Sequence, residues 1–463
     1  MRPVILNKEE LLEHSCKELR GVVLDVLEQT LLEMDSYRSF LKNITVEESI
    51  LRIGDRSWDL DKARSVYLIC GGKAANATAM ALETLLGPRL TGGVVIVKSL
   101  EGGDRFSKCE VYVGGHPLSN LEGYQGCCRI FEMLEKIGPE DLVISAISGG
   151  TSALMACPKP GLSLEADILT SDILLKSGAN IHEINSVRRH ISRTNGGNLA
   201  KQIEAKGAEM ILLMHVDAIG SAPTQEPWVA RPVFGGPMAP DPTTLQDAKN
   251  TIRNYGLQDK LPRTVVEFLE NSTEADETPK ELKRHTTFAV NTLPDLSACA
   301  QQKARKMGIN AHILSSSMVG DSQQAGAFFA SLAREIQTFG RPYAAPCLLI
   351  ASGEVYTMID DPRSVRGSGG PGQEMVVAFA LANRDMPGVC FASIDSEGTD
   401  GPTPAAGGIV DSCTYAYALE KGVDLHKALR RHSTHQALGS LGCLVYSGNT
   451  GTTLCDLHLL YIV

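Results

Sequence analysis

Short apolar runs alternate with amphipathic stretches through most of this chain, and that alternation limits its fold more than any other feature. Val66–Cys70, Gly93–Val97, Glu110–Val113, Leu142–Ile147 and Met210–His215 are apolar and of strand length. Between them, helical spacing appears at Ala74–Leu86, Gly123–Ile137, Leu164–Ser177, Ile184–Arg193 and Asn198–Ala205. Strands separated by helices pair through crossovers, which predicts a parallel or mostly parallel sheet covered by helices on both faces. The opening stretch, to about residue 55, reads as helical, because Leu and Val recur at three- and four-residue spacing.

The polar stretch Glu270–His285 has little to bury and reads as a linker. The alternation then restarts with strand Thr286–Val290, helix Asp295–Met307, strand Ala311–Leu314, helix Ser322–Phe339 and strand Cys347–Ala351. Strands at Val355–Ile359 and Val389–Ser393 follow, with a helix at Gln373–Ala382 between them. The expectation is two α/β domains with mostly parallel sheets flanked by helices, divided as 1–283, including the leading helices, and 284–463. A chain of 463 residues is longer than most single cores, which agrees with two domains.

The formal net charge of -10, without a long basic block, argues against nucleic-acid or anionic-membrane partners. No apolar run approaches the ~18–20 residues of a membrane span, and the N-terminus becomes charged without an apolar signal core. The 12 cysteines are scattered, form no C-x-x-C, and include the vicinal pair Cys127-Cys128. Reduced thiols in a cytoplasmic protein are expected, and the N-x-T matches at Asn43 and Asn271 are then chance.

Ligands of open α/β sheets bind beyond the carboxyl ends of the strands, so the strand-to-helix turns carry the functional information. Gly71-Gly72-Lys73 follows the first strong strand and opens a helix. It fits neither a Walker A sequence nor a dinucleotide fingerprint, but glycines and a helix start suit an anion, and Lys73 adds a cation. A tight turn with a surface lysine is the plainer alternative. Ser148-Gly149-Gly150-Thr151-Ser152 repeats the pattern and serves equally as a phosphate turn or a helix cap. His116 follows a strand and two glycines, as a structural or a catalytic histidine.

Arg188, Arg189, His190 and Arg193 gather within two helical turns, either as a solvated basic face or as a clamp for a carboxylate or phosphate. Asp241, Thr243 and Thr244 in the proline-rich loop Pro237–Thr244 suit an Asx turn and a helix cap. The G-x-G-x-x-G at Gly367, Gly369 and Gly372 is not directly at a strand end, so it reads as a glycine loop rather than a dinucleotide site. The densest acidic loop, Ser393–Ser412, sets Asp395, Glu397, Asp400 and Asp411 among glycines. Carboxylates there can hold Mg2+ or take a proton from a hydroxyl, or can simply be solvated turn residues. Anion-binding turns in one domain and an acidic loop in the other suggest phosphoryl transfer from ATP–Mg2+ to a small acidic alcohol.

In order, "GGKAA", "GGHPLSN", "SGGTSALM", "INSVRRHISRTNGGNLA", "APDPTT", "SGE", "GGPGQE", "EGTDGPTPAAGGIVD" and "GNTGTTLCDL" resemble the MOFRL-type (class II) glycerate 2-kinases across roughly residues 10–463. The resemblance implies two α/β domains with the active site in the cleft between them. It also implies ATP- and Mg2+-dependent phosphorylation of the 2-hydroxyl of D-glycerate. On it, Lys73 matches the family's active-site lysine and, with Asp400 and Glu397, is the catalytic candidate. Gly71, Gly72 and Ser148–Ser152 are candidates for nucleotide phosphates, His116, Arg188 and Arg189 for the substrate, and Asp395 with Asp400 for the metal.

The sequence departs from the usual family pattern at Pro371 for arginine, Gly372 for asparagine and Glu397 for aspartate. It departs again at Gly235-Gly236-Pro237-Met238 and in the stretch "HVDAIGSAP". Some family members carry the label hydroxypyruvate reductase, so an NAD(P)H-dependent reductase is one alternative. A catalytically degenerate ATP- or sugar-acid-binding protein is another. A homo-oligomer is left open.

Overall fold

The computed structural model describes residues 4–13, 15–100, 102–219 and 236–463. They fall into two compact units, one of residues 36–218 and 236–290, the other of residues 4–35, 219 and 291–463. Gly220–Pro223 of the "HVDAIGSAP" stretch, and Gly235, lie outside the described residues. Among the described residues, no helix is long and apolar enough to cross a membrane.

The first unit begins with an antiparallel meander of β1 (Ile44–Glu47), β2 (Ile50–Ile53) and β3 (Arg56–Asp59). The expected helical opening therefore ends at Asn43. Leu51 and Ile53 turn into the core with exposed Arg52 between them, a two-residue period that helical spacing had masked. Gly54, at φ +58, makes the β2–β3 turn.

A six-stranded sheet follows in the order β6-β5-β4-β7-β8-β9. Its strands are β4 (Val66–Gly72), β5 (Leu90–Val97), β6 (Cys109–Val113), β7 (Leu142–Ile147), β8 (Glu209–Val216) and β9 (His285–Thr292). β4, β5, β6, β7 and β8 pair in parallel, as their apolar runs demand. The helices Ala75–Leu86, Leu121–Leu134 and Asn198–Ala205 bury their apolar stripes in the cores on the two faces of this sheet.

Two expectations about the boundary are corrected. β9, read as the opening strand of the second domain, is the last strand of the first sheet, and the division falls after Val290 instead of after residue 283. The polar stretch ahead of it is not a linker. Glu277 accepts from Leu245 N (2.8 Å) and Lys280 Nζ (2.9 Å) and meets His190 Nε2 (2.7 Å), while buried Thr278 donates to Asp241 (3.0 Å). Polar residues stay ordered there by pairing with one another.

The second unit holds β10 (Ala311–Asp321), β11 (Cys347–Tyr356), β12 (Val389–Asp395), β13 (Gly407–Asp411), β14 (Leu444–Val445) and β15 (Asp456–Ile462). Their order is β10-β11-β15-β12-β13-β14. β10 and β11 are parallel, but the other pairs are antiparallel, so this sheet departs from the expected mostly parallel type. Two of these pairs come from the chain's end, where β15 inserts between β11 and β12 against the direction of both, and two from the successive reversals of β13 and β14. β11 also fuses most of two expected strands into one.

The helix Lys17–Met34, expected in the N-terminal domain, packs in this second unit. Val23, Leu24, Val26, Leu27 and Leu31 join Leu293, Leu296, Ala300, Leu348 and Ile350 in one core. Arg20, 1% exposed, donates to Asp411 at 2.6 Å and to the Leu11 carbonyl at 2.9 Å. A buried guanidinium needs such partners, and this pair fixes the helix in place.

Candidate active site

Adjacent parallel strands β4 and β7 deliver the two glycine turns side by side, with Gly71 opposite Ile147. Ser148 N donates to the Gly71 carbonyl (3.1 Å), Lys73 N to the Gly149 carbonyl (2.9 Å), and Ala74 N to Ser148 Oγ (3.0 Å). The turns are thus one hydrogen-bonded unit. Gly72 has φ +122, and a Cβ there would lie 2.6 Å from the Ser148 carbonyl oxygen, so only glycine fits. Ser148 therefore ties the second turn to the helix start of the first, beyond the capping or phosphate role read from sequence.

His116 arrives from β6, on the far side of β5 from β4, through Gly114 and Gly115. A Cβ on Gly150, which has φ +90, would lie 3.2 Å from both His116 Cδ2 and Lys73 Cγ. Lys73, Gly150 and His116 are therefore neighbours, although they are far apart in sequence. Lys73 is half-buried and His116 exposed. The helix Ala75–Leu86 opens here with no side-chain cap, and Thr151 and Ser152 start the short helix after β7. A lysine, an imidazole and a glycine turn at three strand ends have the chemistry that suits an anion.

Asn195 was missed by the sequence reading. It is buried, its amide donates to the Ser152 carbonyl (3.3 Å), and its Oδ1 has no hydrogen-bond partner among the described residues. Gly196 and Gly197, both at positive φ, bend the chain next to it, and Asn195 itself lies against the Ser148–Ser152 turn. Two successive glycines after an Asn were the available signal.

The basic helix Ile181–His190 does not form the expected clamp. Arg189 is buried in an ion pair with Asp241 (2.9 Å), whose carboxylate also accepts from Thr243 and Thr278. Arg188 is half-buried near Asp167, and its guanidinium is pushed down by burial first, with Asp167 opposing. Burial raises the Asp167 carboxyl to about 6. His190 lies against Glu277, and Arg193 stacks over the Phe131 ring at 3.6 Å. Arg189 is committed to Asp241 and is withdrawn as a substrate ligand. Asp241 and Thr243 make the expected Asx turn, and Thr244 caps the helix Leu245–Asn254.

In the other unit, the acidic loop leaves β12 at Asp395. Asp395 Oδ1 accepts from Glu397 N (2.8 Å), and Glu397 Oε1 accepts from Thr399 Oγ1 (2.9 Å). Both carboxylates are half-buried. Asp456, another residue the sequence reading missed, stands opposite Asp395 in register and accepts from Val355 N at 3.0 Å. Burial, then the Asp395 charge, pushes its carboxyl well above the usual range. Its signal was a lone carboxylate opening an apolar terminal strand.

Asp400 is 2% exposed and caps a helix from outside it. Its two oxygens accept from Gly372 N (3.1 Å) and Gln373 N (2.8 Å), the first turn of the helix Pro371–Ala382. Burial raises this carboxyl to about 6 against those hydrogen bonds. With each oxygen accepting a backbone N–H of that turn, Asp400 caps the helix, which leaves Glu397 and Asp395 as the less occupied carboxylates of the loop for the base and metal duties expected of it. Pro371 occupies the first helical position, where its missing N–H costs nothing. The glycine run ahead of it lies well beyond the end of β11 at Tyr356, as expected for a loop and not for a dinucleotide turn.

Residues 22–270 match the family model described as a domain of unknown function, DUF4147, and residues 347–456 match the MOFRL family. A glycerate 2-kinase of Pyrococcus horikoshii is 34% identical over 94% of this chain and 96% of its own length. A D-glycerate 2-kinase of Thermotoga maritima is 32% identical over 86% of this chain and 91% of its own. The crystal structure of a glycerate kinase from Thermotoga maritima superposes with a TM-score of 0.81 at 30% identity. It covers 96% of this chain and all of that one.

Proposed function

The chain belongs to the glycerate 2-kinase family, and on that premise we propose that it transfers the γ-phosphoryl group of ATP to the 2-hydroxyl of D-glycerate. The observation that carries this reading is the meeting of Lys73, Gly150 and His116 at the ends of β4, β6 and β7. Phosphoryl transfer asks a protein mainly for positioning and charge neutralisation. The joined turns at Gly71–Lys73 and Ser148–Ser152 present backbone N–H groups and hydroxyls to phosphate oxygens. Lys73 supplies a positive charge that strengthens as charge builds on the transferring group. His116 donates to the same anion or to the glycerate carboxylate.

Asp395 and Glu397 are hard oxygen donors on one half-buried loop, a donor set that fits Mg2+. They would hold that ion, which when bound neutralises charge on the phosphates. Glu397 accepts the proton from the attacking hydroxyl. Asp400, held by the helix start, fixes the loop that carries both. The glycine loop Gly367–Gly372 supports no nicotinamide site, so the reductase reading gains nothing from it.

Coupled ADP release with D-glycerate, ATP and Mg2+ tests this reading. Turnover is expected from the wild-type chain and is lost, by at least about a hundredfold, in Lys73→Ala, as for removal of a main electrostatic contact. Near wild-type turnover in that variant would sink the assignment.

A further inference from the structure

Cys16 and Cys413 are distant in sequence but have their Sγ atoms 2.8 Å apart. Each is the residue ahead of a helix, Lys17–Met34 and Thr414–Glu420. Their closeness has an identifiable cause. Asp411 accepts from Cys16 N (3.0 Å) through one oxygen and from Cys413 N (2.8 Å) through the other, and Arg20 (2.6 Å) neutralises it. One buried carboxylate thus anchors both cysteine backbones. Cys413 is exposed and Cys16 partly so, whereas the neighbouring Cys443 and Cys390 are buried.

We propose that Cys16 and Cys413 are a redox-modifiable pair, which closes to an intramolecular disulfide on meeting a small-molecule disulfide such as oxidised glutathione. The sulfurs and an Asp411 oxygen lie within 4.8 Å of one another, which also resembles a metal ligand set. Asp411, however, is already saturated by two backbone N–H groups and a guanidinium, and Arg20 beside it repels a cation.

The exchange balances without another reactant. The Cys413 thiolate attacks one sulfur of RSSR, forming a mixed disulfide and expelling RS–. Cys16 then loses its proton and attacks Cys413 Sγ, forming the protein disulfide and expelling the second RS–. The two protons lost by the cysteines end on two RSH. The protein gives up two electrons, and RSSR gains them. Burial, then the Cys413 thiol and the Asp411 charge, push the Cys16 thiol up to about 12, so the exposed Cys413 attacks first. The closed bond ties the segment ahead of the Lys17–Met34 helix to the end of β13, the strand that the acidic loop enters.

The test is to incubate the native full chain with oxidised glutathione at about pH 8, alkylate the remaining thiols, and map peptides. A linked peptide pair joining Cys16 and Cys413, reversed by dithiothreitol, is expected. In Cys16→Ser the same treatment leaves a glutathione adduct on Cys413. If wild-type Cys413 keeps a stable adduct while Cys16 still alkylates, or if both alkylate as before, the pair is overturned. The wild-type arm decides even where a variant folds poorly.

Discussion

His215, on β8, stacks on Phe40 with ring centroids 5.4 Å apart, and neither ring nitrogen has a hydrogen-bond partner among the described residues. Burial alone lowers its imidazole from 6.5 to about 4. The folded value lies below the unfolded one, so the neutral ring's contribution is full above 6.5 and is lost as pH falls towards 4. Between pH 7.5 and 5 that loss is on the order of 2 kcal/mol. His215→Phe keeps the stack and removes the titration, so urea unfolding at the two pH values is expected to show a correspondingly smaller drop. An unchanged pH dependence would mean that the ring is not buried neutral. Single residues were legible where their placement is local: the strand-to-helix turn that carries Lys73 could be read from its own segment. Arg189 could not, because its partner Asp241 is 52 positions away and nothing in either segment announces the pairing.

The helix Pro371–Ala382 shows how an element's start is supplied from elsewhere. Gly370, its N-cap, has no side chain to close the first turn, and Asp400 closes it from the acidic loop. Asp400→Asn keeps one acceptor oxygen but turns an amide towards an N–H donor. It is expected to cost about 1–2 kcal/mol, the range for loss of a helix cap. Chemical denaturation at pH 7.5 measures it, and a variant as stable as wild type would deny Asp400 the capping role. Elements with strong apolar runs, β4, β5, β7 and β8, were readable from sequence because parallel strands are buried on both faces. The meander β1–β3 was not, since strands of four residues give too few periods to stand out from a helical pattern. β13, "GGIVD", was hidden inside the acidic loop by its two glycines.

On the scale of the whole molecule, local pattern specified two α/β units but not which segments compose each. β9 has no feature that assigns it to the first sheet; only its neighbour β8 does. The Lys17–Met34 helix likewise has an apolar stripe that would suit either core. In the structure it covers one face of the second sheet with Val23, Leu24, Val26, Leu27 and Leu31. At about 1.5–3 kcal/mol for each such side chain, this burial amounts to roughly 10 kcal/mol. A whole domain is stable by only about 5–15 kcal/mol, so the second unit should not survive without the helix. Loss of the helix also strands Asp411, whose charge is then buried without Arg20. Residues 291–463 expressed alone are therefore expected to lack a cooperative thermal transition. Adding a peptide of residues 4–35 should restore one, followed by circular dichroism, with a midpoint that rises with peptide concentration. A cooperative transition in the isolated fragment, unaffected by the peptide, would show that the helix is an accessory. Because the peptide contains Cys16, treating the same mixture with oxidised glutathione and mapping its peptides also reports whether Cys16 and Cys413 meet.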